Sequence, residues 1–260
     1  MIENGARSER VIASTTTWPM VEPDIRCHAD VSALVDAVAR IIAERIAQRI
    51  RERGSCRLAL AGGGTPRPIY ERLAQADLAG TIDWARVQVF WGDERCVGPD
   101  NETSNYRMAY TALLAHVPVT ETNVHRIEGE RGPAAAARRY AKTLGDQPLD
   151  LLLLGMGSDG HTASLFPGAP DLATAERVIP TRSPVAPVDR VSISLRAING
   201  AREVYLLVSG ADKAERLAEV LQQIESGEPT LPAARVQPRS GLLYWLIDAT
   251  VAQYLAPLKL

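Results

Sequence analysis

The stretch Leu149-Asp150-Leu151-Leu152-Leu153-Leu154-Gly155-Met156-Gly157-Ser158-Asp159-Gly160-His161 decides the fold of this chain. Its first six residues are almost continuously apolar. A strand with one wet face would alternate, so this one reads as covered on both faces. The glycines then turn the chain off the strand into a loop. Working outward, Arg57-Leu58-Ala59-Leu60-Ala61 reads as a second short buried strand, broken by Gly62-Gly63-Gly64-Thr65-Pro66. The prolines that follow suit the first turn of a helix running to about Ala79. Val87 to Trp91 is a strand, followed by a polar loop to about Asn105 and a helix from Tyr106 to Ala115. Pro133 to Leu144 is another helix. Nearer the start, Asp30 caps a helix whose apolar residues Val31, Leu34, Val35, Val38, Ile41, Ile42 and Ile46 recur at helical spacing, and Gly54 closes it. Downstream, Val191 to Leu195 and Val204 to Val208 are strands, and Asp212 to Gln223 is an amphipathic helix. Leu242 to Ile247 is a late strand, after which Asp248 caps a final helix.

Strands alternating with helices predict an α/β class with a doubly wound, mostly parallel sheet flanked by helices. No Pro/Gly/Ser linker divides the chain, so residues 1–260 are expected to form one domain. The first ~20 residues read as a loose lead-in, and Thr181 to Pro187 as a long surface loop. In such sheets ligands bind outside the carboxyl ends of the strands. The loops 62–66, 92–105 and 155–168 all fall there, and each is rich in glycine and polar groups.

Composition narrows the function. The 260 residues are 46% hydrophobic and 23% charged, with net charge −2 and only 5% aromatic. That balance supports neither the basic face of a nucleic-acid binder nor its stacking platforms. The longest apolar runs fall well short of the 18 residues of a membrane span, and the charged N-terminus lacks a signal-peptide core, so no membrane partner is expected. Cys27, Cys56 and Cys96 are widely spaced with no CxxC, so reduced thiols in a cytoplasmic protein and no metal site are expected. Oligomeric state is not readable.

The three loops carry the chemistry. Glycines 62–64 let backbone N–H groups approach an oxyanion, the following helix start is electropositive, and Thr65 adds a hydroxyl. No Gly-Lys-Ser/Thr follows, so this is not a Walker A loop. Gly155, Gly157 and Gly160 match GxGxxG, but Pro167 and Pro170 interrupt the helix a dinucleotide site needs. Ser158 is not in a GxSxG elbow, because Met156 stands two residues before it. His161 is the one histidine of four in a Gly-rich loop after a strand, where an imidazole can take a proton from water. Asp159 is close enough in sequence to share its site. Asp93, Glu94 and Arg95 end a strand and can bind hydroxyls or orient a base; the same residues in a solvated loop would form a local ion pair. Arg107, Arg190 and Lys213 are candidate anion contacts. Only three of the 29 basic residues are lysines, which draws attention to Lys213.

Three stretches together are similar to a known family. They are Leu60 to Pro66, Trp91 to Arg95, and Gly155-Met156-Gly157-Ser158-Asp159-Gly160-His161-Thr162-Ala163-Ser164-Leu165-Phe166-Pro167-Gly168. Their order and spacing resemble the 6-phosphogluconolactonase branch of the glucosamine-6-phosphate isomerase/6-phosphogluconolactonase family, over about residues 30–255. The third stretch is the specific one. The resemblance implies a Rossmann-like fold, no cofactor, and hydrolysis of 6-phospho-D-glucono-1,5-lactone, the second step of the oxidative pentose phosphate pathway. It implies His161 as the base, with Asp93 or Asp159 orienting it or the water, and a small phosphosugar lactone as partner. Gly63, Gly64 and Thr65 would hold the phosphate with Arg190 and Lys213, and Asp93 and Arg95 would face the sugar ring. Gly64 departs from the serine frequent in the family, which removes a hydroxyl donor. A deaminase of the same family is the rival, but its matching loop includes a carboxylate and Gly160 to Pro167 contains no acid. A phosphosugar-binding regulator without turnover is the reading from another class.

Overall fold

The computed structural model describes residues 21–255, so the lead-in expected over the first ~20 residues lies outside the described part. In chain order the elements are β1 (Asp24–His28), α1 (Val31–Arg53), β2 (Cys56–Leu60), α2 (Pro66–Leu73), α3 (Ala76–Ala79), β3 (Val87–Trp91), β4 (Asp93–Arg95), α4 (Asn105–Ala112), α5 (Pro133–Leu144), β5 (Leu151–Gly155), β6 (Val178–Arg182), β7 (Asp189–Ile193), α6 (Leu195–Ile198), β8 (Glu203–Val208), α7 (Ala214–Ser226), β9 (Leu242–Asp248) and α8 (Ala249–Ala252). Six strands form one sheet in the order β1-β9-β8-β5-β2-β3, and all its pairs are parallel. Leu151 to Leu154 are each no more than 1% exposed, which is the double-sided burial their apolar run implies.

Helix α1 shows how local signals and packing agree. The Asp30 carboxylate accepts from Ala33 N at 2.8 Å, and Gly54 ends the helix with a left-handed φ of 80°. Leu34, Val38, Ile42 and Ile46 form one fully buried stripe. Burial of each such side chain contributes about 1.5–3 kcal/mol, which fixes the helix face against the sheet.

The path of the chain positions the site. From β2 it moves outward to β3, then crosses back over β2 to β5 and proceeds the other way through β8 and β9. The carboxyl ends of β2 and β5 are therefore the switch point, where the two crossovers leave in opposite directions and open a crevice.

A second sheet completes the crevice. It is antiparallel, in the order β4-β7-β6. Gly92 joins it to the first: its N–H donates to Leu60 O at 3.0 Å in the parallel sheet, and its carbonyl accepts from Ile193 N at 2.8 Å in the other. Strands β1, β4 and β6 were not expected from sequence. Thr181 and Arg182 belong to β6, which shortens the expected 181–187 loop to a hairpin tip. The helix expected to run from the prolines to Ala79 is interrupted at Gln75, whose backbone is extended (ψ 144°), so α2 and α3 are separate. The helix expected at Tyr106–Ala115 ends at Ala112 and passes into a 3-10 turn, Leu114–His116. Helix α7 begins at Ala214 rather than Asp212, after a 3-10 turn, Ala211–Lys213, that leaves Lys213 at its N-cap position. The last helix is a single turn, capped as expected by Asp248, which accepts from Val251 N at 3.1 Å.

Candidate active site

A cleft of about 300 Å3 lies at the switch point. All three glycine-rich loops line it, and Leu154 and Met156 form part of its wall. Its size suits a small ligand.

His161 lines the cleft, and Asp159, outside the lining, holds it. The imidazole Nδ1 lies 2.5 Å from Asp159 Oδ1, and the same oxygen accepts His161 N–H at 3.0 Å. Burial alone would raise the Asp159 carboxyl. The hydrogen bonds from the His161 ring and backbone outweigh that and hold it below the usual carboxylate range. An ionised Asp159 makes Nδ1 the protonated nitrogen and leaves the Nε2 lone pair for a proton. The ring is one-third exposed and packs on Phe166 at 4.8 Å between centroids. Two glycines make this possible. Gly160 adopts φ +85°, and a Cβ on Gly157 would lie 2.2 Å from His161 Nδ1.

Asp93 lines the same cleft but does not partner the imidazole. It is 7% exposed and contacts neither His161 nor any cation within 4 Å among the described residues. Its Oδ2 accepts the Ser164 hydroxyl at 2.6 Å, and its Oδ1 accepts Asn105 Nδ2 at 3.3 Å. Of the two acids named from sequence as partners of the imidazole, Asp159 is the one in contact. Glu94 points away and serves the fold. Its carboxylate accepts from Arg95 N, Asn105 N and Tyr106 N, each at 2.8 Å, and from Ser104 Oγ at 3.0 Å, which caps the start of α4.

The cleft carries more positive than negative charge. Arg95 and Arg190 sit directly opposite each other in the β4–β7 pair, and both line it. Like charges so placed repel. Arg190 is 6% exposed and has no ion pair among the described residues; its Nε donates to Pro187 O at 2.7 Å. Burial, and then the facing Arg95, lower its pKa. Arg95 donates to Thr103 O, and its buried Nε has no hydrogen-bond partner. Lys213 also lines the cleft; its backbone N–H donates to Gly210 O at 3.1 Å, and its ammonium has no hydrogen bond or ion pair among the described residues. Three cations arranged this way fit an anionic ligand, which would relieve the repulsion.

Gly62, Gly63, Gly64 and Thr65 also line the cleft. Gly63 takes φ +96°, and the Thr65 side chain makes no capping bond, so its hydroxyl is available. Pro66 and Pro68 contribute no N–H, which confines the backbone donors to the glycine loop and Arg67. Arg107, like Asp159 and Glu94, lies outside the cleft lining; it donates to Asp100 O at 2.9 Å.

Sequence reasoning passed over Asn105, Ser164 and the clearance at Gly157. The GxGxxG spacing was a usable signal for the last of these. Its middle glycine here makes room for an imidazole rather than a pyrophosphate. Among the described residues, no group of three or more His, Cys, Asp or Glu is arranged to hold a metal.

A switch-point crevice with surplus cations, a carboxylate-held imidazole and no GxSxG elbow defines a Rossmann-like α/β protein whose cleft has the charge and size to fit a small anionic ligand. The chain belongs to the family described as glucosamine-6-phosphate isomerases/6-phosphogluconolactonase, whose model matches residues 29–245. The 6-phosphogluconolactonase of Synechocystis sp. is 37% identical over 245 residues, which cover 90% of this chain and 99% of that protein. That of Streptomyces coelicolor is 35% identical over 250 residues, 90% of this chain and 95% of its own. The crystal structure of 6-phosphogluconolactonase from Thermotoga maritima superposes with a TM-score of 0.76 at 31% identity, covering 87% of this chain and all of that one.

Proposed function

We propose that this protein is a 6-phosphogluconolactonase, which hydrolyses 6-phospho-D-glucono-1,5-lactone to 6-phospho-D-gluconate in the oxidative pentose phosphate pathway. One observation carries the mechanism: the His161 imidazole, held through Nδ1 by Asp159, lines the same cleft as Thr65 and Lys213.

The lactone carbonyl is already electrophilic, so no covalent nucleophile is needed. His161 Nε2 takes a proton from water as the water oxygen bonds to C1, and Asp159 stabilises the imidazolium that forms. Arg95 or loop N–H groups receive the developing oxyanion. The bond from C1 to the ring oxygen then breaks, and the imidazolium proton passes to that oxygen. Gly63, Gly64 and Thr65 with Lys213 and Arg190 hold the phosphate, whose binding energy fixes the reacting geometry at the other end.

The deaminase reading is disfavoured by the loop itself. Gly160 to Pro167 contains no carboxylate, and Phe166 occupies the space against the imidazole. No cofactor enters this scheme. The cytoplasm is the compartment we assign, because Cys27, Cys56 and Cys96 are free thiols, the state a reducing compartment maintains.

The decisive experiment is lactone hydrolysis by His161→Ala with the spontaneous rate subtracted. A positioned base contributes about 10²–10⁴-fold, and kcat is expected to fall by that factor with little change in KM. Full turnover in that variant refutes the base assignment. Equal activity on glucosamine 6-phosphate in the parent protein refutes the lactonase reading.

A further inference from the structure

The mechanism leaves one buried constellation unused. Ser164 is 1% exposed, and its hydroxyl donates to Asp93 Oδ2 at 2.6 Å across 71 residues of chain. Asn105, 2% exposed, donates through Nδ2 to the Asp93 carbonyl at 2.9 Å and to its Oδ1 at 3.3 Å. A Cβ on Gly62 would lie 2.0 Å from Asn105 Oδ1, so the phosphate loop is packed against the same amide. The three loops of the site, which leave three different strands, are joined at these four residues.

The backbone is bent to make this junction. Ala163 has φ +49°, the one non-glycine residue in the left-handed region among those described. Alanine gains nothing from that conformation, which persists only where the surroundings impose it. They do so here: Thr162 Oγ1 donates to Gly155 O at 2.8 Å, and Ser164 N donates to Ser192 Oγ at 3.2 Å. The bend lets one short loop send His161 toward solvent and Ser164 inward.

The two Asp93 oxygens are unequally engaged. Oδ2 is held by a short bond from Ser164, whereas Oδ1 has only the long contact from Asn105. Oδ1 thus keeps the capacity to accept a further donor. Asp93, Asn105 and Ser164 all line the cleft, and Ser164 stands three positions from the imidazole. With the lactone carbonyl beside His161, the nearest substrate donor is the hydroxyl on the adjacent carbon. We infer that Ser164 is a positioning residue that turns Asp93 so that Oδ1 accepts the lactone hydroxyl next to the carbonyl, and that this contact selects hydroxylated over deoxygenated lactones.

The inference rests on the lactonase reading, and its test separates the two. The probes are 6-phosphogluconolactone and its 2-deoxy analogue, each assayed with background subtracted. The parent protein is expected to prefer the hydroxylated lactone by about 10–100-fold in kcat/KM. Ser164→Ala is expected to lose about 10-fold on that lactone and little on the 2-deoxy one, so the preference collapses. Thr65→Val, at the phosphate end, is expected to slow both equally and keep the ratio. A structural role alone for Ser164 would lower both rates together, and an unchanged ratio overturns the inference. An absent preference in the parent protein overturns it without any variant. Neither result touches the lactonase reading, which fails only if the parent protein is equally active on glucosamine 6-phosphate.

Discussion

Gly157→Ala tests the site at its tightest point. An added Cβ would lie 2.2 Å from His161 Nδ1, 2.3 Å from its Cε1 and 2.7 Å from Asp159 Oδ1. Ordinary contact needs about 3.5 Å, so the ring must retreat by about 1.3 Å. The backbone cannot easily yield instead. Gly157 N donates to His161 O at 2.9 Å, and Gly157 O accepts from Gly160 N at 3.0 Å. The atoms that move are therefore those of the proposed base and its partner, while the core is untouched. A displacement of about 1 Å at a reacting group costs roughly 10²-fold in rate, or about 2.7 kcal/mol of barrier. The expectation is kcat down about 100-fold, KM within a small factor, and a thermal midpoint little changed. The assay is lactone hydrolysis on substrate generated from glucose 6-phosphate, with the spontaneous rate measured in parallel. A variant with kcat within twofold of the parent, equally stable, would show that the imidazole position does not set the rate.

Three further outcomes are expected. The folded-state pKa of Asp159 lies below its ordinary value, so the stability it contributes is present above that value and is lost only as pH falls through the folded one. Asp159 is therefore ionised throughout the neutral range, and Asp159→Asn should lower kcat across that range, as a pH–rate profile will show. Lys213→Ala should raise KM by about 10–100-fold and Thr65→Val by about 3–10-fold, each with kcat little changed, as steady-state kinetics will show. Glu94→Ala leaves the backbone donors of Asn105 and Tyr106 unsatisfied and should cost about 2–3 kcal/mol in denaturant unfolding; an unchanged midpoint would refute its capping role.

Much of the parallel sheet was legible because its signals are local. The apolar runs of β2, β3, β5, β8 and β9, the Asp30 cap and the Gly54 stop each sit within a few residues of the structure they specify. The glycine loops were legible for the same reason, since sharp turns after buried strands leave few alternatives. Of the second sheet only β7 was, as the strand expected at Val191–Leu195, which the structure places at Asp189–Ile193. Strand β4 is three residues of Asp, Glu and Arg, and β6 contains Pro180, so neither has a strand's composition. Their pairing depends on register with β7, nearly a hundred residues from Asp93.

The amino-acid sequence by itself marked five strands of the parallel sheet, the crevice-forming loops and His161 as the candidate base. Only the tertiary structure decided which acid holds it, that Arg95 faces Arg190, and that Ser164 grips Asp93. The first is a choice between a neighbour in the same loop and an acid on another strand, and the other two are contacts between segments far apart in sequence. Periodicity and turn chemistry report how a segment relates to its immediate neighbours, while the distance between two loops is set by how the whole sheet twists and closes.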